Sequence, residues 1–282
     1  MDIEFFKSYN KYLFENGFTE ADKFKNENIP DILYKYFPCE ENRIDFLSNQ
    51  ELWLAQHETF KDKHEFKFMF IDEDKFVNTK LIDAKWDILR NYYDESMFDV
   101  NYSDALKIFN ANKKLISISC FTTNPNDDYF WSDYADNKNG FCVEYRINRK
   151  SIFYPVIYTD EKMEVSDMLK TMIVEMRKTI LDENEFEKKS GQKYNIIGRD
   201  GMNYISFLYF NYCCKKLKYK NEDEYRIVFA NDKIQMSNGK AVSYNDLSIS
   251  ANKIFIGANC LERNRKRLEE IAEIRGINYV HM

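Results

Sequence analysis

The sequence is poor in the residues that make a chain flexible, and it has no long apolar run. Only 8 glycines and 4 prolines occur among 282 residues, so long flexible linkers are not expected, and we expect a single domain over residues 1–282. No apolar stretch approaches the ~20 residues that a membrane-spanning helix requires. The first residues, MDIEFFKSYNKYLFENGF, also lack the basic and apolar segments of a signal peptide. We therefore expect a soluble, cytoplasmic protein with no membrane partner.

Several common functional motifs are missing as well. The six cysteines form no C-x-x-C pair and have no metal-like spacing with the three histidines, which indicates reduced, mostly buried thiols and no metal site. The P-loop, the G-x-G-x-x-G fingerprint, the G-x-S-x-G elbow and the H-E-x-x-H motif are absent, so the enzyme classes that carry them lose their usual support. The net charge of −6 gives no general attraction to nucleic acid or to an anionic membrane.

Strand-like segments cluster in the middle of the chain, and helical segments lie before, between and after them. The order has no regular β-α-β alternation and predicts an α+β fold, with a central mixed or antiparallel sheet and interleaved and flanking helices. Residues 1–30 are expected to form a helical extension of an α+β domain at residues 31–282. Predicted strands cover residues 30–38, 51–55, 115–121, 140–147, 153–159, part of 219–232, 253–260 and 277–282, and an edge hairpin covers 236–244. Predicted helices cover residues 1–17, 79–98, 103–109, 161–183, 202–217 and 261–276, and a mobile loop covers 181–201.

The stretch YKNEDEYRIVFAND, residues 219–232, carries the strongest candidate chemistry. Read as a strand, it places Glu222, Glu224 and Arg226 on one face and mostly apolar residues on the other. Two carboxylates about 7 Å apart can differ in pKa, and an adjacent arginine keeps one of them ionised. Such a carboxylate can stabilise the oxocarbenium-like transition state of glycosidic bond cleavage, while the other orients or deprotonates the acceptor. The alternative is a solvated edge strand with a Glu–Arg pair, which spacing alone favours.

A second candidate region is SISCFTTNPNDDYFWSDYADNKNGFCVEY, residues 117–145. Ser117 and Ser119 share one face of the predicted strand and Cys120 lies on the other, so small hydroxyls stand where a ligand or a carboxylate can approach. Trp131 and Tyr134 in the following loop suit the binding of a ring and a sugar. The alternative is that both aromatic side chains cap the edge of the core.

Basic residues supply candidate phosphate contacts. Lys35 faces away from the flanking rings of Tyr34 and Tyr36 and can bind a pyrophosphate from a sheet face. A group of lysines beside the acidic pair can offset phosphates there. Its members are Lys215, Lys216, Lys218 and Lys220. Solvated lysines are the alternative in both places.

An ordered set of short segments resembles the DUF2971 family, a group of bacterial proteins of largely uncharacterised function. The segments are LYKY, NQELWLA, ETFKDKHEF, SCFTTN, FWSDYADNKNGFCVEY, PVIY, KKLKYKNEDEYRI and IFIGANC, spread over residues 31–282. The sequence departs from the family pattern at Lys61-Asp62-Lys63, which stand for an Asn-Asp-Pro turn. It also departs at Asp133 and Lys138, which stand for histidines, and at Tyr219, which stands for a tryptophan. These departures argue against a role that depends on histidine.

The layout is also similar to that of the ADP-ribosyltransferase superfamily. That pattern has a basic or histidine residue on a first strand, a Ser-Thr-type strand and a late Glu-x-Glu strand. Here Lys35, then Ser119 with Thr122, and finally Glu222-x-Glu224 hold those places. The resemblance implies a split central sheet and the binding of NAD as a substrate.

The same resemblance implies a role for each candidate residue. Glu224 contacts the nicotinamide ribose and stabilises the oxocarbenium ion as nicotinamide leaves, Glu222 orients the acceptor, and Ser119 holds Glu224. An aromatic side chain stacks on nicotinamide, and basic residues meet the pyrophosphate. The implied cofactor-binding residues are Lys35, Tyr36, Thr122, Trp131, Tyr134 and Arg226.

Several functions stay open at this level. The acceptor can be a protein, a nucleic acid or a small molecule. A hydrolase of glycosidic or nucleotide bonds would use the same carboxylates with water, and a non-catalytic sensing or interaction domain would need no accessible Glu224. Cytosolic transferases of this layout often act as toxins or in anti-phage defence, which is the role we expect. An open cleft shared by Glu224 and Ser119 would favour an enzyme, and a surface pair of Glu224 with Arg226 would favour a binding domain.

Overall fold

The computed structural model describes most of the chain. The described residues are 1–60, 65–76, 99–170, 173, 188–189, 191, 210–230 and 238–282. The helix predicted at residues 79–98 lies outside them, as do most of the predicted mobile loop at 181–201 and the first half of the helix predicted at 202–217. In the second half of that helix the prediction is wrong, because a turn leads there into the short strand Cys214–Lys215.

Helices occur near both ends of the chain and between the strands. Seven of the α-helices have both ends among the described residues: α1 (Ile3–Asn16), α2 (Phe18–Glu27), α3 (Glu41–Asn49), α4 (Tyr102–Leu115), α5 (Asp128–Asp133), α6 (Tyr244–Leu247) and α7 (Glu262–Arg275). Residues 166–170 are helical as well. Asp2 caps α1 by accepting a hydrogen bond from the Phe5 N–H at 3.1 Å. Gly276, with a φ of +64°, ends α7, in agreement with the helix predicted at residues 261–276. No helix within the described ranges is long and apolar enough to cross a membrane.

The strands are short and mostly antiparallel. They are β1 (Ile32–Phe37), β2 (Glu51–Gln56), β3 (Met69–Phe70), β4 (Ile116–Thr122), β5 (Phe141–Ile147), β6 (Phe153–Pro155), β7 (Ile157–Tyr158), β8 (Met163–Glu164), β9 (Cys214–Lys215), β10 (Glu224–Ala230), β11 (Gly239–Ser243), β12 (Ile249–Ile256) and β13 (Asn278–His281). Nine of them form the main sheet, in which only β12 and β13 run parallel, and β3–β8 and β7–β9 form two small parallel pairs. The predicted α+β fold with a mixed, mostly antiparallel sheet and several helices is confirmed.

The main sheet divides at β4. One edge of β4 pairs with β10 along its whole length, from Ile116 to Thr122. The other edge is shared, because β1 pairs only at Thr122 and β2 only at Ser117 and Ile118. From this fork, β1 leads to β5, β12 and β13, while β2 leads to β11.

The strand register separates two faces of the sheet. Glu224 lies opposite Thr122 and Arg226 opposite Cys120, so these side chains share one face, here called the Glu224 face. Ile227 lies opposite Ser119 on the other face, here called the Ile227 face. Helices α1 and α4 cover part of the Glu224 face, and α3, α6 and α7 cover the Ile227 face with apolar side chains.

Two local predictions are corrected. The helix predicted at residues 103–109 is longer than predicted, because α4 is capped by Asn101, whose Oδ1 accepts from the Asp104 N–H at 2.9 Å, and continues to Leu115. Residues Gly239–Ser243 form an edge strand that pairs with the distant β2 instead of a local hairpin. In both cases the predicted segment has a clear local pattern, but a residue or strand outside that segment supplies the partner. Asn101 caps α4, and β2 pairs with Gly239–Ser243.

Candidate functional site

Charged side chains meet on the Glu224 face in a group that we call the charge cluster. Its members are Glu65, Lys215, Glu222, Glu224 and Arg226. Arg226 is fully buried and Glu224 is only 6% exposed. Because a buried charge is costly unless it is paired and hydrogen-bonded, such a cluster requires close geometry among all of its members.

Arg226 is the fixed cation of the charge cluster. Its Nε donates to Glu224 Oε1 at 2.7 Å, and its Nη2 donates to Glu65 Oε2 at 2.7 Å. Its Nη1 donates to the Tyr212 carbonyl oxygen at 2.6 Å. The Phe66 ring lies 5.5 Å from the guanidinium carbon, within range of a cation–π contact. The planar guanidinium thus holds two carboxylates in defined positions.

Lys215, at the end of β9, links all three carboxylates. Its Nζ donates to Glu222 Oε2 and, at 3.1 Å, to Glu224 Oε2. The same Nζ lies 3.7 Å from Glu65 Oε1. One ammonium group therefore bridges the two acids of the Glu-x-Glu motif.

Glu222 reaches the charge cluster from outside the strand. It ends a 3₁₀ helix over Leu217–Glu222, and β10 begins only at Glu224. Asp223 between them has a φ of +40°, which non-glycine residues seldom adopt. The Thr122 hydroxyl donates to the Glu222 carbonyl oxygen at 2.9 Å and ties this turn to β4. The prediction that both acids lie on one strand face is wrong, yet the turn still brings their carboxylates to one ammonium group.

The two acids have opposite pKa shifts. Burial disfavours the ionised form of Glu224, but the charges of Arg226 and Lys215 outweigh it and hold the pKa of this carboxyl well below its usual range. For Glu222, burial outweighs the hydrogen bond from Lys215 and raises the pKa. Glu224 is therefore a permanent anion near neutral pH, and Glu222 is the acid whose protonation changes more readily.

The solvated-edge alternative for this strand is wrong. Strand β10 lies between β4 and β6, and its residues Glu224 to Val228 are buried. Tyr225 and Ile227 pack in the apolar core of the Ile227 face, as the alternation predicted. The acidic pair is thus an internal feature of the protein rather than a surface ion pair.

Ser119 lies on the wrong face for its predicted role. It stands opposite Ile227, whereas Glu224 stands opposite Thr122. Ser119 therefore cannot hold Glu224, and no cleft contains both side chains. Cys120 occupies the position that was expected of the serine, and a hydrogen bond between the Cys120 thiol and Glu224 contributes to the pKa shifts of both groups.

Lys35 is also on the opposite face from the charge cluster. Its Nζ donates to the Cys120 carbonyl oxygen at 2.9 Å, beside the point where β1 and β2 separate from β4. The rings of Phe37 and Phe121 lie 5.6 and 5.5 Å from this nitrogen. Burial lowers the pKa of Lys35. Its described contacts satisfy a backbone carbonyl at the fork, so the predicted pyrophosphate contact is not supported.

Of the aromatic residues predicted to bind the cofactor, Trp131 and Tyr36 are buried in the core and Tyr134 is exposed on the surface. Trp131 is 2% exposed, its Nε1 donates to the Pro125 carbonyl oxygen at 3.2 Å, and its ring meets the edge of Tyr36. Both side chains belong to the core, so the capping alternative holds for Trp131. Tyr134 and its neighbour Tyr129 are 43% and 44% exposed, with ring centroids 6.1 Å apart. These two form the exposed tyrosine pair.

The tyrosine pair lies beside the charge cluster. Burial, followed by the nearby Glu222 carboxyl, raises the pKa of Tyr129. Partial burial also raises the pKa of Tyr134, on which the charges of Lys215 and Glu222 both act. Two exposed rings thus stand next to the more exchangeable acid of the cluster.

Two glycines hold the loop that carries Tyr134. Residues Asp136, Asn137 and Lys138 all have positive φ, which turns the chain sharply before β5. A Cβ on Gly140 would lie 2.1 Å from the Phe37 carbonyl oxygen, and one on Gly257 would lie 2.2 Å from that of Lys138. Only glycine permits these close approaches. The GANC segment, residues 257–260, therefore packs directly against the loop that carries Tyr134 and holds it in place.

A depression of about 120 Å³ adjoins the charge cluster. Glu65 and Lys215 of the cluster line it, together with Lys67, Phe68, Thr159, Asp160, Glu161, Lys162, Cys214 and Lys216. Lysines are frequent in its lining, and acidic residues lie among them. Among the described residues, no group of three or more His, Cys, Asp or Glu side chains is placed to hold a metal ion.

Sequence reasoning missed several members of this site. Glu65 stands in the KHEF segment, which carried the family resemblance but no assigned chemistry. Tyr158 accepts a hydrogen bond from the Glu224 N–H at 2.8 Å and lies on a short strand whose partner is β9. Tyr129 lies within the candidate region at residues 117–145 but was assigned no role there. Glu65 in KHEF and Tyr158 in PVIY each stand in a segment that carries the family resemblance, and that resemblance was their only signal.

These features define an α+β protein with a divided sheet and a buried, carboxylate-rich ion-pair cluster beside exposed tyrosines. Residues 130–227 match the model of DUF2971, described as a protein of unknown function. This match supports the predicted resemblance to the family over that segment of the chain. The matched segment contains all of the charge cluster except Glu65.

Neither the curated proteins nor the solved structures include a significant match to this chain.

Proposed function

We propose that this protein is an NAD-dependent enzyme of the ADP-ribosyltransferase type. The observation that carries the proposal is the pair Glu222 and Glu224, which share the Lys215 ammonium group while their pKa values move in opposite directions. Two acids whose environments separate their pKa values are suited to different roles in one reaction. One stays ionised, and the other exchanges a proton.

The proposed reaction begins with loss of nicotinamide from the ribose. Ionised Glu224 stabilises the positive charge that develops on the ribose as the glycosidic bond breaks. The acceptor then forms the new bond to the same ribose carbon, and Glu222 takes up the proton that the acceptor releases. With water as the acceptor, the same steps give hydrolysis.

The surroundings of the charge cluster suit the parts of such a substrate. The exposed rings of Tyr129 and Tyr134 can stack on an aromatic base. Lys67, Lys162 and Lys216 border the adjoining depression and have no ion-pair partner among the described residues. They take the phosphate-binding role that Lys35 cannot fill.

Substrate access requires a change in the charge cluster, because both oxygens of Glu224 are already paired. An anionic pyrophosphate in the depression would compete for Lys215, which lines both places. Moving this ammonium away from Glu224 would free one carboxylate oxygen toward the ribose. Arg226 would keep the other oxygen in position.

The test is release of nicotinamide from NAD by the purified protein. Glu222→Gln should reduce the rate at least 100-fold, since general acid–base catalysis contributes roughly 10²–10⁴-fold. Arg146→Gln, at an exposed position on β5, is the matched control and should leave the rate unchanged. Free ADP-ribose would identify water as acceptor. Release that persists in Glu222→Gln would remove that residue from the mechanism, and no release in any acceptor mixture would contradict the proposed enzyme.

A non-catalytic sensing domain is the second candidate. It is favoured by the buried and fully paired state of Glu224, which needs no rearrangement if it only stabilises the fold. Calorimetric titration with NAD separates the two candidates. Binding without turnover, weakened by Tyr134→Ala but not by Arg146→Gln, would support sensing.

We propose a toxin or anti-phage defence role for the enzyme. Induced expression in a bacterial host should then stop growth, and Glu222→Gln expressed to the same level should not. Normal growth with the wild-type protein would count against this role while leaving the enzymatic assay unaffected.

A further inference from the structure

Cys39 and Cys260 bring their sulfur atoms within 3.6 Å of each other across 221 residues of sequence. Cys39 follows β1, and Cys260 ends the turn after β12. Both side chains are half-buried, as is Cys120, whereas Cys142, Cys213 and Cys214 are buried. All six cysteines are free thiols. This pair is therefore both assembled and within reach of a small oxidant.

We propose that Cys39 and Cys260 form a site of oxidative modification that a peroxide converts into an intramolecular disulfide. One thiolate attacks a peroxide oxygen and breaks the O–O bond, giving a sulfenic acid and, from hydrogen peroxide, one water. The second thiolate attacks the sulfenic sulfur, forms the S–S bond and releases a second water once its hydroxide is protonated. The two thiols lose two electrons, and the peroxide gains them.

The local backbone suits this bond. The sulfur atoms must approach from 3.6 Å to the ~2.05 Å of a disulfide. Both cysteines lie in turns between a strand and a helix, where side-chain rotation does not break strand pairing. The Cys260 N–H donates to the Gly257 carbonyl oxygen at 3.0 Å, and Asn264 Nδ2 donates to the Cys39 carbonyl oxygen at 3.5 Å. The first bond closes the turn that ends in Cys260, and the second joins the start of α7 to the segment that carries Cys39.

The reaction is expected to be slow at neutral pH. Burial, followed by the neighbouring sulfur, raises the pKa of Cys39 to about 12, and burial raises that of Cys260. The charged groups that act on the pair are Asp136, Arg265 and Glu269. Since the thiolate is the reacting form, the pair responds to sustained rather than brief exposure to oxidant.

The disulfide would affect the candidate site through the turn that ends in Cys260, because this turn contacts the loop that carries Tyr134. In that turn, the Asn259 N–H donates to the Lys138 carbonyl oxygen at 3.0 Å, and its Nδ2 donates to the Asn137 carbonyl oxygen at 2.8 Å. Those residues belong to the loop that carries Tyr134. Oxidation would therefore join this supporting turn covalently to the end of β1.

The experiment is prolonged treatment of the purified full chain with hydrogen peroxide, followed by non-reducing intact-mass and peptide mapping. The expected product has lost two hydrogens, contains a Cys39–Cys260 peptide pair, and has a Tm raised by about 5–10 °C that falls again on reduction. The Cys39→Ser and Cys260→Ser variants should lack both the mass change and the Tm change, and Cys120→Ser should retain them. Recovery of all six thiols, or oxygen added to each cysteine separately, would overturn the proposal, as would a bond between two chains. None of these outcomes depends on NAD turnover.

Discussion

The side chains on the two faces of β10 are stabilised differently in the interior, by apolar packing on one face and by ion pairs on the other. On the Ile227 face, Tyr225 and Ile227 fill an apolar core, which gains stability from the area removed from water. On the Glu224 face, Glu224 and Arg226 are equally inaccessible and depend on specific partners. Burial alone therefore does not distinguish a face that stabilises the fold from a face that carries chemistry. Ion pairs at this depth add little net stability compared with apolar packing, so their presence favours a function.

The largest expected effect comes from breaking the charge cluster at its fixed cation. Arg226→Met leaves Glu65 and Glu224 without their guanidinium partner and should lower the free energy of unfolding by about 3–5 kcal/mol. Urea denaturation at neutral pH measures this loss. Ile227→Val, the neighbouring change on the apolar face, should lower it by only about 0.5–1.5 kcal/mol. Equal losses at the two positions would remove the distinction between the faces.

The pH dependence of stability separates the two faces further. The folded pKa of Glu224 lies below its unfolded value of about 4.3, so its contribution is present above that pH and is lost as the pH falls through the folded pKa. Glu224→Gln should cost about 1–3 kcal/mol at neutral pH and should flatten the fall in stability below pH ~4.3. Thermal unfolding from neutral to acidic pH checks both effects.

Glu222 provides the matched control, because folding raises its pKa whereas folding lowers the pKa of Glu224. Its folded pKa lies above the unfolded value, so its contribution is present below the unfolded pKa and is lost as the pH rises through the folded pKa. Glu222→Gln should therefore not reduce the acid sensitivity that Glu224→Gln removes. The same acid profile in both variants would show that the two carboxyls are not differentiated.

The smallest expected effect is on Ser119. Its hydroxyl is buried on the Ile227 face, and among the described residues it has no hydrogen-bond partner. Ser119→Ala should therefore change the free energy of unfolding by less than about 1 kcal/mol, and it should raise it, because the variant no longer buries an unpaired hydroxyl. Nicotinamide release should not change either. A large loss of activity would mean that Ser119 acts on Glu224 in spite of the strand register.

Much of the fold follows from local patterns. The alternation in residues 224–229 places Tyr225 and Ile227 in the core, and the glycine at position 276 ends α7 where expected. The failures occur where a distant partner decides the outcome. Gly239–Ser243 pairs with β2 rather than in a hairpin, and Lys35 is used at the fork of the sheet.

The residue patterns alone give the α+β class of the fold, the resemblance to DUF2971 and the presence of a paired acid motif next to an arginine. These properties follow from side-chain periodicity and from short segments, both of which involve residues close together in the sequence. Which candidate residues share a face of the sheet depends on tertiary contacts that the patterns do not record. A strand's side chains alternate, so the register between β4 and β10 sets whether Ser119 or Cys120 meets Glu224. The tertiary structure also brought Glu65 and Lys215 to Arg226 and Cys39 to Cys260, because contacts between distant segments arise only when the sheet and its helices are assembled.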